Sequence, residues 1–256
     1  MAQSITIDVD GTPVEAWLST PTPAGPGVLL FMDALGLRDQ IGRMCDRIAS
    51  WGFTVLAPNV FWRSGTAAET SPTTDLTIPE NRAAFFEHAG PRVQSLTADL
   101  AEHDIPFYLA ALREASDGDE VGVTGYCMGA RLAVRAAGID PQVVAVGGFH
   151  GGGLVTDAPD SPHHALAHAR AEFVFGHADQ DRSMTPDNVA DLGRALADAG
   201  LTASNEIYPG SPHGYTMSDA SSYDEAGAER HYRELEHLLR RTLTPASPTA
   251  APTSGH

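Results

Sequence analysis

The chain has 256 residues, 42% of them hydrophobic, and a formal net charge of −17. This length can bury a full core as one large α/β domain, while the acidic balance excludes nucleic acid and anionic membrane surfaces, which both call for clustered cations. Two cysteines without metal-type spacing make no disulfide framework, and neither a signal peptide nor an 18-residue apolar run is visible, so free thiols in a cytoplasmic protein are expected.

Residues 5–9 and 14–18 alternate apolar with polar and flank Asp10-Gly11, a hairpin signal. After a Pro/Gly-rich stretch, residues 27–32 (GVLLFM) form a continuous apolar run suited to a strand buried on both faces. A helix carrying Ile41, Met44, Cys45, Ile48 and Trp51 precedes a strand at 53–57. Residues 59–90 lack a clear period and are expected to form loops and short helices over an active site. A helix through Val93, Leu96 and Leu100 follows, with Pro106 expected to kink or restart it. Strands at 121–124, 143–146, 173–176 and 203–208 then alternate with helices at 128–137, across Val189 to Ala199, and at 224–243. Such alternation predicts a mainly parallel sheet with helices on both faces and a site at the carboxyl ends of the strands. Residues 1–243 are expected to form one domain, and the Pro/Ser/Thr/Ala-rich tail 244–256 reads as disordered.

The most informative segment is VGVTGYCMGARLA, starting at Val121. A strand runs into Gly125-x-Cys127-x-Gly129 and then into an amphipathic helix, the nucleophile-elbow pattern with cysteine in the serine position. The turn is so tight that its central residue is strained, and flanking glycines remove Cβ clashes. Amides at the helix start favour a thiolate and a neighbouring oxyanion, which places Met128 N–H in an oxyanion hole. Taken alone, Cys127 would read as a small buried residue. The order of the later loops shifts the weight. Asp179 and Asp181 follow the strand at 173–176, and His213 follows the strand at 203–208. Nucleophile, acid and histidine thus leave strand ends in the order this architecture requires. Histidine exchanges a proton near neutral pH, and a carboxylate on its other nitrogen fixes its tautomer.

With the G-Y-C-M-G elbow, the D-x-x-M-x-P loop at Asp181 and the closing His213-Gly-Tyr, the chain resembles the dienelactone hydrolase family of the α/β-hydrolase fold. The resemblance implies a Cys127–Asp181–His213 triad, with Asp181 preferred to Asp179 because the apolar Met184 follows it at the family interval. It implies an oxyanion hole from Ala34 and Met128 and no metal or organic cofactor. Asp33 stands where the family has a glutamate that shares the cysteine's proton. The family's type activity opens an unsaturated lactone whose carboxylate is held by arginines. One of those positions is Met217 here, and Arg82 is the candidate for the other. Tyr126, His150 and Tyr215, with Trp62, Phe85 and Phe86, are candidates for lining an apolar pocket, while Arg38 and Arg63 read as solvated surface charges. The implied partner is a small-molecule ester or lactone, a neutral one being favoured because Met217 replaces an arginine in an acidic chain. Monomer and small homo-oligomer both remain open. The alternatives are a non-catalytic homologue that binds a small ligand, and a redox thiol protein.

Overall fold

In the computed structural model residues 1–243 are described, and the tail expected to be disordered, 244–256, falls outside them. Asp10 (φ 51°) and Gly11 (φ 78°) both take left-handed backbone and turn β1 (Gln3–Val9) back onto β2 (Thr12–Ser19), as a two-residue hairpin requires. β2 pairs antiparallel with β4 (Thr54–Pro58). From there β3 (Pro26–Phe31), β5 (Asp117–Tyr126), β6 (Val143–Phe149), β7 (Glu172–Ala178) and β8 (Ala203–Tyr208) run parallel. The eight strands form one sheet in the order β1-β2-β4-β3-β5-β6-β7-β8. The parallel majority was legible as apolar runs: every residue of β3 and β4 is buried.

Helices α1 (Asp39–Ala49), α4 (Ala98–Ala115), α5 (Gly129–Ile139), α6 (Pro186–Asp198) and α7 (Glu225–Thr242) cover the sheet. Adjacent strand residues face opposite sides, and two β6 glycines show both sides occupied. A Cβ on Gly147 would meet Leu235 of α7, and one on Gly148 would approach Ala130 of α5. α1 and the turn after it join α7 on the first side, through the Arg47–Glu229 ion pair and the edge-to-face contact of Trp51 with Tyr232.

Residues 59–90 are more regular than their sequence suggests. After the short helix α2 (Ala67–Thr70), α3 spans Pro79–Ser95, a seventeen-residue helix with Pro79 in its first turn. Its inward face is sparse and mixes Arg82 and Arg92 with Phe85, Phe86 and Ala89, so no apolar period announces it. The helix expected through Val93, Leu96 and Leu100 is divided. α3 ends at Ser95, and Thr97 caps α4 by accepting a hydrogen bond from Leu100 N–H. Pro106 does not restart the chain; it lies inside α4. Trp51 falls beyond the end of α1, and a 3-10 helix at Pro162–His168 was not foreseen.

Candidate active site

β5 ends at Tyr126 and α5 begins at Gly129, so Cys127 sits on the bend between them with φ 54°. Both glycines are sterically required. A Cβ on Gly125 would lie 2.1 Å from the carbonyl oxygen of Gly129, and one on Gly129 would lie 2.5 Å from the carbonyls of Phe31 and Met32. The bend therefore forces a non-glycine residue into strained backbone at the carboxyl edge of the sheet.

Two neighbouring strand ends bring the partners. His213 Nε2 lies 3.1 Å from Cys127 Sγ, and His213 Nδ1 lies 2.6 Å from Asp181 Oδ2. The other carboxylate oxygen, Oδ1, accepts from both Ser183 N–H (2.8 Å) and Ser183 Oγ–H (2.7 Å), which fixes the carboxylate plane. Met184 anchors this loop in the core. Asp179 is elsewhere: its Oδ2 accepts from Gly210 N–H at 2.9 Å and braces the turn after β8.

The electrostatics favour an ion pair. Burial alone would push the Cys127 thiol up, but the charge and hydrogen bond of His213 outweigh it and bring the thiol below its ordinary range. Met128 N–H adds a smaller push in the same direction, and the charge of Asp33 opposes it. Burial likewise opposes charging of His213, yet Cys127 and Asp181 together raise it to about 10. Burial also opposes charging of Asp181, whose carboxyl is nevertheless held below its ordinary range by His213 and Ser183. Both shifts favour a thiolate facing an imidazolium.

A small pocket lies over the sulfur, lined by Asp33, Ala34, Leu35, Arg82, Phe86, His150, Gly214 and Met217 among others. Its free volume is about 10 Å³, space for about one water. His150, in left-handed backbone (φ 38°), packs edge-on against His213 with centroids 5.3 Å apart and bonds Thr216 Oγ1 through Nε2 at 2.8 Å. Arg82 reaches the pocket from α3, its guanidinium 5.0 Å from the Phe86 ring, and its buried Nε has no hydrogen-bond partner. Ala34 lines the pocket, and its carbonyl accepts from Arg92 Nη2 at 3.2 Å.

Other expected pocket residues lie elsewhere. Tyr126 is buried beneath the elbow, its hydroxyl 3.3 Å from His231 Nε2, because strand alternation points it away from the pocket. Tyr215 is buried and donates to Gly176 O at 3.0 Å, tying down the His213 loop. Trp62 donates its indole N–H to the buried Asp104 at 3.0 Å, and Arg63 pairs with the same carboxylate. Neither Trp62 nor Phe85 lines the pocket.

Arg38 is the largest departure from the sequence reading. It is buried, not solvated, and bonds Asp33 Oδ1 (2.6 Å) and Oδ2 (3.3 Å) together with Asp219 Oδ2 (2.6 Å) and Oδ1 (3.0 Å). One guanidinium thereby ties the loop bearing Ala34 to the loop bearing His213, and Nη2 also meets Met217 Sδ at 3.4 Å. Asp33 is held by Arg38 and by Leu35 N–H (3.1 Å), and no hydrogen bond joins it to Cys127 among the described residues. A buried bidentate pairing across loops has no local sequence signal. Cys45, the other cysteine, is fully buried in α1, and burial pushes its thiol up.

A family model described as the dienelactone hydrolase family matches residues 14–243. The chain belongs to the dienelactone hydrolase family. A relative from Escherichia coli (strain K12), named "Putative carboxymethylenebutenolidase", is 26% identical over 213 residues, covering 82% of this chain and 74% of the relative. "Protein usf" of Aquifex pyrophilus is 25% identical over 249 residues, covering 95% of this chain and all (100%) of that protein. Among solved structures, a dienelactone hydrolase from Anabaena variabilis superposes with a TM-score of 0.59 at 18% identity, covering 95% of this chain and 98% of the other. A dienelactone hydrolase-like promiscuous phosphotriesterase from metagenomic libraries gives 0.74 at 18% identity, covering 94% and 98%. These superpositions establish the α/β-hydrolase fold for this family member, and the family is one of hydrolases. No helix among the described residues is long and apolar enough to cross a membrane.

Proposed function

We propose that this family member hydrolyses carboxylic esters or lactones through an acyl-enzyme on Cys127, with His213 as proton carrier and Asp181 as its orienter. The observation that carries this reading is the continuous chain from a strained Cys127 Sγ through His213 to Asp181, at 3.1 and 2.6 Å. The thiolate attacks the carbonyl carbon, and the displaced π pair becomes an oxyanion held by the N–H groups of Met128 and Ala34. Collapse of this intermediate expels the alkoxide, which takes the imidazolium proton of His213 and leaves a thioester. Water then attacks the thioester while His213 accepts its proton, and the departing thiolate restores the resting pair. Asp181 stays ionised throughout and keeps Nδ1 protonated.

The preference for a neutral substrate changes. Met217 provides no cation, but Arg82 enters the same pocket with no carboxylate partner among the described residues. In a chain of this net charge an unpaired guanidinium beside the nucleophile favours esters or lactones that carry a carboxylate. The test is a 4-nitrophenyl ester panel with quench-flow and peptide mass spectrometry. A burst equal to the enzyme concentration and an acyl mass on the Cys127 peptide are expected, and both vanish in Cys127→Ala. Full turnover by that variant refutes the proposal, as does an unmodified Cys127 during turnover.

A further inference from the structure

Every one of the 16 cationic side chains is an arginine, set against 33 carboxylates. With acids in such excess, a partly buried arginine should find one, and most do. Arg38, Arg47, Arg113 and Arg135 pair with Asp33, Glu229, Asp140 and Glu102. Arg82, Arg92 and Arg131 are partly buried and have no carboxylate within ion-pair distance among the described residues. All three surround the elbow. Arg82 belongs to the pocket above the sulfur, and Arg92 spends a donor on Ala34 O. Arg131 has no assigned side-chain bond among the described residues.

Arg131 opens onto a different space, a cleft of about 330 Å³ between the α3–α4 junction, α5 and the segment before the 3-10 helix. That volume is within the range of small-molecule sites. The cleft begins at Met128, the residue after the nucleophile, and passes Gly153. The preceding residue, Gly152, lies beside the His213 ring, since a Cβ there would stand 3.7 Å from His213 Cε1. So the cleft lies next to the Cys127–His213 pair and shares no lining residue with the pocket that holds Arg82 and Phe86. It holds two arginines and a single carboxylate residue, Asp160, whose carbonyl is taken by Arg135. Arg135 is neutralised by Glu102, which leaves Arg131 as the free cation of the cleft among the described residues. Burial makes Arg131 a weaker base, and the nearby Cys127 charge partly offsets this. The guanidinium therefore faces the cleft beside the nucleophile with its donors unspent on protein partners among the described residues, a condition in which an anion is attracted.

We propose that this cleft binds a carboxylate at the far end of the substrate's acyl chain, with Arg131 as the residue that holds it. The proposal rests on the acyl-enzyme reading above. Arg131 lies in the first turn of α5, four residues beyond the bend that carries Cys127, so the two are about one turn apart. An acyl chain as long as adipate reaches a side chain one turn away, whereas the pocket holding Arg82 has only about 10 Å³ of free space and suits compact acids and lactones.

Two measurements test it on the full chain. The first compares kcat/KM for the 4-nitrophenyl hemiester of adipate with that for the neutral 4-nitrophenyl hexanoate. Wild type is expected to favour the adipate at least tenfold, Arg131→Gln to lose at least tenfold in that ratio, and Arg131→Lys to recover part of it. The second titrates adipate calorimetrically into Cys127→Ala protein, with and without Arg131→Gln, and reads the cleft whether or not Cys127 acylates. Binding at least tenfold weaker with Arg131→Gln supports the site. An unchanged ratio and unchanged binding in Arg131→Gln overturn it, and so does a larger loss in Arg82→Gln than in Arg131→Gln. Hexanoate turnover without a Cys127 adduct, with Arg131-dependent adipate binding intact, refutes the acyl-enzyme reading and leaves the anion site standing.

Discussion

Replacing Arg38 by methionine removes the cation between two carboxylates while keeping most of the side-chain volume. The variant loses contacts of 2.6 and 3.3 Å to Asp33 and of 2.6 and 3.0 Å to Asp219. Asp219 is 27% exposed in its side chain and regains water, but Asp33 is 6% exposed and keeps only the Leu35 N–H. Stripping one partner from a buried pair costs about 3–5 kcal/mol, and the hydration open to Asp219 puts this case near ~3 kcal/mol. For a chain of this size that corresponds to a Tm fall of about 6–12 °C. The unpaired Asp33 charge also bears on Cys127, whose thiol it already pushes up. The assays are thermal denaturation and the pH dependence of iodoacetamide alkylation, whose midpoint should move to higher pH in R38M. The double variant D33N/R38M should recover at least half of the Tm and return the alkylation midpoint. A Tm change in R38M below ~2 °C refutes the clamp, as does a double variant no better than the single one.

Four further outcomes are expected. Gly129→Ala drives a methyl to 2.5 Å from two backbone carbonyls, so calorimetry should show a loss of at least ~1–3 kcal/mol or no folded protein. Asp181→Asn should lower kcat by about 100-fold or more through the wrong histidine tautomer, whereas Asp179→Asn should stay within about threefold in the same assay. Phe86→Ala should enlarge the 10 Å³ pocket and raise kcat/KM for branched acyl esters relative to acetate. On pH, raised His213 contributes stability that is complete below its ordinary 6.5 and lost as pH rises through about 10. Lowered Cys127 contributes stability that is complete above its ordinary 9.0 and lost as pH falls through its folded value. From the higher of 6.5 and the folded Cys127 value up to pH 9, the His213 contribution falls as the Cys127 contribution rises, so the Tm difference between wild type and Cys127→Ser should be flat there and shrink as pH rises from 9 through about 10. A difference that slopes steadily through that interval contradicts the ion pair.

The elbow, the strand ends and their order were legible because each is a local event. A tight strand-to-helix turn demands glycines at fixed offsets, and the loops after β7 and β8 carry their side chains within a few residues of the strand. The choice between Asp179 and Asp181 was not local. Both follow the same strand; Met184 favours Asp181 by resemblance, and the turn after β8 separates the two in the fold by bringing His213 Nδ1 to Asp181 at 2.6 Å and Gly210 N–H to Asp179 at 2.9 Å. α3 escaped detection because it covers a site rather than a core. Its inward face needs a guanidinium and rings in place of an aliphatic stripe, so the helical period is missing from the hydropathy pattern. Tyr126 and Tyr215 were misplaced for the reverse reason, since aromatic residues beside catalytic ones belong as often to the layer beneath them.

The arginines show most clearly what a sequence conceals. Arg38, Arg82 and Arg131 are the same residue type at unremarkable positions, yet one is saturated by two carboxylates and the others face open space beside the nucleophile. Net charge averages over these states. At −17 it argued for a neutral substrate, but substrate binding responds to the local field, in which few carboxylates reach the elbow and Asp33 is already neutralised by Arg38. The acidic surface and the cationic mouth are then compatible. Distant carboxylates are screened within about 8–10 Å of salt solution, while partly buried guanidinium groups are screened far less. A charge count sets the partners a surface repels; cations left without a carboxylate beside the nucleophile set which charge its surroundings attract.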